Sequence, residues 1–148
     1  MVRNVALSIT SSRPYDGNIS TDISKLTQAC RIVTTKLVDV MDIIWMRIRN
    51  CRSQWKPALN ALFLLRNLIL HGPLTAIAEA ITQLDKIHAL KKFQNSNRSN
   101  SAQVQNAAKS VYNLLVDQSK LFTLRRAYVA RRRIVSDPKL SVPVSPNF

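Results

Sequence analysis

The segment WKPALNALFLLRNLILHGP, Trp55 to Pro73, constrains the fold more than any other part of the chain. Pro57 fits the first turn of a helix, where its missing N–H leaves no bond unmade, and Gly72 followed by Pro73 is a helix stop. The spacing therefore predicts a helix over 57–71. At ~1.5 Å per residue it covers about 22 Å, short of the ~30 Å hydrocarbon layer of a bilayer. Ala58, Ala61, Leu62, Leu65, Leu68 and Ile69 form one face, while Leu59, Phe63, Leu64 and Leu70 occupy others, so neighbours must surround this helix on several sides. It is expected to be a buried central rod, with Asn60, Arg66 and Asn67 as structural polar contacts or at one open edge.

The rest of the chain supplies the neighbours. Ile23, Leu26, Cys30, Val33, Leu37, Val40, Met41, Ile44 and Ile48 recur at spacings of three and four, and the β-branched patch at 32–35 divides this long run into helices over about 20–33 and 35–50. Val2 to about Thr10 forms a short first helix, closed by a turn in SSRPYDGN. Beyond Pro73, Ile77, Ala80, Ile81, Leu84, Ile87, Leu90 and Phe93 mark the inner face of one further helix. QNSNRSNS is a polar loop with Ser101 as candidate N-cap. Val104, Ala108, Val111, Tyr112, Leu115 and Val116 define the next helix. The last, Ser119 to about Val135, turns Leu121, Leu124 and Tyr128 inward and Lys120, Arg125, Arg126, Arg131, Arg132 and Arg133 outward. The expected architecture is all-α, about seven helices stacked as a right-handed superhelix or an irregular bundle, with no strand. Residues 1–135 make one domain, and the proline-bearing tail 136–148 is expected to be disordered.

Among the 148 residues Lys and Arg number 22 against 8 Asp and Glu, a net charge of +14 that calls for an anionic partner. No segment has the length and hydrophobicity of a membrane span or a signal peptide. Cys30 and Cys51 lack metal-ligand spacing and read as reduced, partly buried thiols. His71 and His88 have no nucleophile or carboxylate at motif spacing, and two glycines are too few for a nucleotide-binding loop. Asp39 and Asp42 share a helical face and suit Lys36 or Arg66 as partners. The residues point to no catalytic centre, no metal and no cofactor.

The order of features is specific. IWMRIRN, a Trp eight residues beyond Arg47, KPALNALFLLRNLILHG with Gly72 seventeen residues after Trp55, HALKKFQ, and QVQNAAKSVYNLLVDQSKLFTLRRA together resemble the epsin N-terminal homology (ENTH) domain. In the last segment Val104, Ala108, Lys109, Leu114, Leu115, Asp117, Leu121 and Arg125 fall at the family's spacings. The likeness is good over Ile44 to Ala127, weak over 1–43 and absent over 136–148.

The resemblance implies a solenoid of about eight helices that binds phosphoinositide headgroups on cytosolic membranes and links to clathrin-coat machinery. It also implies a cytoplasmic protein, peripheral on plasma-membrane, endosomal or Golgi-derived surfaces, with coat proteins or a SNARE as protein partners. Carried over by position, Arg47 stands at a basic lipid-contact place and Lys56 at the basic place after the Trp. Arg52 lies one residue from a contact Lys, and Arg3 matches the Arg of the family's Val-Arg pair. Aligning RPYDG with the family's Asp-Pro-Trp-Gly turn would place Leu7 there instead of Arg3. Pro57 replaces a phosphate-contacting His, and Asn60 replaces a nearby Lys. The loop after Phe93 is about three residues shorter than in epsins. The chain opens at about the first packed helix, so bilayer bending by an inserted leading segment is not expected.

A headgroup site needs several converging cations, because a lone exposed ion pair contributes only ~0.2–1 kcal/mol. Arg47, Arg49, Arg52 and Lys56 fall within such an arc, although the same four residues would also sit in an ordinary solvated loop. The rival reading is a protein-interaction module that binds a SNARE or coat-subunit helix, with little direct lipid binding. The cluster RRAYVARRR is read first as a solvated face, and nucleic acid is not favoured, since no DNA- or RNA-binding module pattern occurs.

Overall fold

The computed structural model describes residues 2–11 and 17–136, with side chains described except at Thr34 and 132–136. Residues 12–16, within the turn read at SSRPYDGN, and the tail beyond Ser136 lie outside the described residues, as do the side chains of Arg132 and Arg133. Eight helices follow one another and no strand occurs among the described residues: α1 (Val2–Ile9), α2 (Ile19–Ile32), α3 (Thr34–Arg49), α4 (Trp55–His71), α5 (Leu74–Thr82), α6 (Leu84–Leu90), α7 (Arg98–Val116) and α8 (Gln118–Ser136). They wind as a right-handed superhelix.

α4 is the axis of the structure. It packs against α2, α3, α5, α7 and α8, and Leu62, Leu64, Leu65, Leu68 and Ile69 are fully enclosed. Burying a leucine-sized side chain contributes about 1.5–3 kcal/mol, so this one helix holds much of the hydrophobic stabilisation. Its polar residues act as expected. Asn60 Nδ2 donates to Ser11 O at 3.0 Å, and Asn67 Oδ1 accepts from the Thr27 hydroxyl at 2.7 Å. Arg66 Nε donates to Ser110 Oγ on α7 rather than to Asp39 or Asp42. Phe63, placed on an inner face by its spacing, is instead 50 % exposed. The helix ends at Gly72, where an added Cβ would lie 2.5 Å from Leu68 O, which excludes any larger residue without movement.

Three boundaries differ from the sequence reading. α4 begins at Trp55, two residues before the proline signal. The run after Pro73 divides at Gln83 into α5 and α6, because Gln83 leaves the helical region (φ −111°, ψ 20°). α7 starts at Arg98 with Asn97 as its N-cap, the side chain accepting from Asn100 N at 3.1 Å. Ser101 is buried inside α7, and its hydroxyl bonds Asn95 on both sides, accepting from Asn95 N and donating to Asn95 Oδ1. The α2–α3 break falls at Val33, within the patch that foretold it.

Candidate functional site: a basic edge where α1, α3 and α4 meet

α3 ends in Arg47 and Arg49, cations at the negative pole of the helix. The chain then turns at once. Asn50 N bonds Met46 O, Cys51 N bonds Ile48 O, and Gln54 N bonds Asn50 O at 2.9 Å, so 50–54 is a compact connection rather than a floppy loop. It delivers Arg52, exposed, and then Lys56, exposed in the first turn of α4. Lys56 Nζ lies 5.7 Å from the centroid of the half-buried Trp55 ring, a cation–π arrangement that favours one orientation of its stem.

Arg47 turns the other way. Its Nε donates to Thr10 Oγ1 at 3.1 Å and one Nη donates to Leu7 O at 3.2 Å, while Thr10 Oγ1 itself donates to Ala6 O at 2.7 Å. The fork thus takes up one carbonyl oxygen near the end of α1, Leu7 O, and the hydroxyl oxygen of Thr10. Asn60 holds the next residue, Ser11, from α4. Arg47 and Asn60 together fasten the end of α1 against the α3–α4 corner. The sequence marks Arg47 as a lipid contact and Asn60 as a structural polar contact or edge residue, but does not single out the buried Thr10.

The four residues picked from the sequence are therefore placed unequally. Arg47, Arg52 and Lys56 share one edge, with Arg47 half-buried and the other two solvated. Arg3 is exposed in the first turn of α1, one helical turn before Leu7, and no described contact ties it to the other three. Cys51, half-buried in the turn, has its thiol pushed up by burial, an effect opposed by backbone hydrogen bonds and by the charge of Arg52. It is not poised as a nucleophile.

The second basic cluster is not a uniformly solvated face. Arg125, read as outward-facing, reaches across to α4 and donates one Nη to Ile69 O and the other to Gly72 O, the latter at 2.7 Å. It caps the carbonyl end of the central helix. Lys120, Arg126 and Arg131 are exposed as expected. His71 packs on Tyr128 with ring centroids 4.5 Å apart, and His88 packs on Tyr112 at 5.2 Å. Among the described residues no group of three His, Cys, Asp or Glu side chains could hold a metal ion, and no helix is long and apolar enough to cross a membrane.

Comparison with known proteins places this arrangement. A family model, the ENTH domain, matches residues 4–121. Among solved structures, the ENTH domain of ENT2 from Candida albicans superposes with a TM-score of 0.77 at 23 % identity, covering 85 % of this chain and 95 % of that one. The human epsinR ENTH domain gives 0.76 at 15 % identity, covering 85 % and 94 %. The ENTH domain from epsin-2, solved in complex with phosphatidylinositol 4,5-bisphosphate, gives 0.76 at 19 % identity, covering 85 % and 89 %. At these identities the structures attest the shared fold. No curated protein sequence matches.

Proposed function

The chain belongs to the ENTH domain family, and from that premise we propose that it is a non-catalytic membrane-trafficking adaptor domain. It binds phosphoinositide headgroups on the cytosolic face of plasma-membrane, endosomal or Golgi-derived membranes and links them to clathrin-coat machinery. The observation that carries this reading is the corner itself. Arg47 and Asn60 hold α1 to the α3–α4 turn, and Arg52 and Lys56 project from that turn into solvent.

In this account Arg52 and Lys56 are the principal anion contacts. Arg47 is chiefly the brace that sets the edge and contributes its remaining charge, and Arg3 adds a further cation from α1. A multiply charged headgroup engages several of these at once, whereas each alone is a weak surface charge. The net charge of +14 keeps the chain near an anionic leaflet while the headgroup is found.

Flotation with phosphatidylcholine vesicles, with and without phosphatidylinositol 4,5-bisphosphate, tests the reading at physiological salt. Each Lys or Arg near an anionic surface contributes ~1 kcal/mol, so Arg52→Ala with Lys56→Ala lowers the affinity for phosphoinositide vesicles about 30-fold. Equal flotation with and without the phosphoinositide, or an unaltered double variant, overturns it.

One observation favours a second reading, that the chain is a protein-interaction module for a SNARE or coat-subunit helix. Between α3 and α5 a cleft is lined by Leu37, Val38, Met41 and Thr75 and rimmed by Asp42 and Glu79. Val38 is 60 % exposed. An amphipathic helix with basic flanks would suit it. Retention of such a partner by a chain that fails to float would decide for this alternative.

A further inference from the structure

A groove lies where α2, α4 and α8 meet, about 20 Å along α4 from the Arg52–Lys56 edge. We propose that it is a second anion site, built to take a phosphate group. Its volume is about 380 Å³. Ser24, Thr27, Gln28 and Arg31 line it from α2, at intervals that put all four on one helical stripe. That stripe is polar, in contrast to the apolar stripes by which the other helices pack. His71 lines it from the last turn of α4, and Tyr128 and Arg131 from α8. Among the described residues no carboxylate lines it.

Three features make the groove more than a wet crevice. The Arg131 guanidinium sits 5.8 Å from the Tyr128 ring centroid, and Tyr128 in turn packs on His71 at 4.5 Å, so the stacked row orders one cation before any ligand arrives. Less side-chain entropy is then lost on binding. Arg31, exposed on α2, stands at the other wall and supplies a second guanidinium suited to bidentate contact with phosphate oxygens. The carbonyl end of α4, whose partial negative charge would repel an anion, is covered by Arg125 through Ile69 O and Gly72 O. Across the groove floor Thr27 and Asn67 bond each other and are held in place.

A phosphate monoester could reach this groove free in solution or on a lipid headgroup, and the test separates these sources. Two-dimensional amide spectra of the whole chain are recorded during titration with inorganic pyrophosphate. The amides of residues 24–31, 67–72 and 128–131 are expected to shift together. Arg31→Gln with Arg131→Gln, both exposed positions whose exchange leaves the helical spectrum intact, weakens that response at least tenfold. Arg52→Ala with Lys56→Ala leaves it unchanged, so failure here and failure of the basic edge are distinguishable. Shifts confined to 47–56, or a groove response that persists in the Arg31/Arg131 variant, overturn the proposal. With the groove response established, vesicles of phosphatidylcholine and phosphatidylinositol 4,5-bisphosphate assign the source. Reduced flotation of the Arg31/Arg131 variant supports the site with a lipid-borne phosphate, and unchanged flotation supports it with a soluble one.

Discussion

Replacing Arg47 by Ala separates a brace from a ligand contact. The substitution removes donors 3.1 Å from Thr10 Oγ1 and 3.2 Å from Leu7 O. A hydrogen bond from a charged donor contributes about 1.5–3 kcal/mol, but Arg47 is half-exposed and water would re-solvate part of what is vacated. Thr10 also keeps its own bond to Ala6 O. The net loss is therefore about 2–3 kcal/mol, less than two full charged bonds. For a chain of this length 1 kcal/mol shifts the melting temperature by ~3 °C, so thermal unfolding followed by circular dichroism shows a fall of about 5–10 °C. Arg47→Lys keeps the charge but cannot span both acceptors with a planar fork, and recovers only part of the loss. Arg52→Ala with Lys56→Ala, exposed and without such bonds, stays within ~0.5 kcal/mol of the parent. An Arg47→Ala protein that melts within a degree of the parent would refute the bracing role.

Arg125→Ala uncovers the carbonyls of Ile69 and Gly72 at the end of α4. It is expected to destabilise by about 2–3 kcal/mol and to speed amide exchange over 121–131 before the rest of the fold, which hydrogen-exchange mass spectrometry resolves. Cys30 is fully buried, and desolvation pushes its thiol up to about 11 despite the opposing charge of Lys36, so Cys51 reacts with a thiol reagent first. Because the folded chain holds the Cys30 proton more tightly than the unfolded one, the associated stability is complete below pH 9 and drains away as pH rises through about 11. Urea midpoints fall over that window, and Cys30→Ala makes the fall shallower.

Much of the fold was legible because the chain announces its central helix. The Pro57 and Gly72–Pro73 signals and the all-round leucines of α4 predict a rod enclosed by others, and Leu62, Leu65 and Leu68 are indeed fully buried. The α5–α6 division was not legible. Thr82 and Gln83 are not helix breakers, and Ile81, Leu84 and Ile87 carry the apolar period straight across a bend that only tertiary packing imposes. The cap of α7 was ambiguous for another reason: Asn95, Ser96, Asn97, Ser99 and Ser101 all have capping chemistry, and the choice fell to Asn97 once Ser101 closed a ring with Asn95. At the candidate site, the basic arc was visible as a run of cations. The division of labour within it was not. Arg47 and Arg125 meet backbone carbonyls 40 and 56 residues away in sequence, and no local pattern distinguishes a guanidinium that braces a helix end from one that waits in solvent. The resemblance to ENTH domains located these positions, whereas the hydrogen bonds sort them.

Hydrogen–deuterium exchange of the chain bound to phosphatidylinositol 4,5-bisphosphate vesicles tests the central claim most directly. Binding through the basic edge predicts new protection over residues 47–56 and at the end of α1, with α5 and α6 unchanged. Protection that appears only between α3 and α5, or nowhere despite vesicle capture, would contradict it.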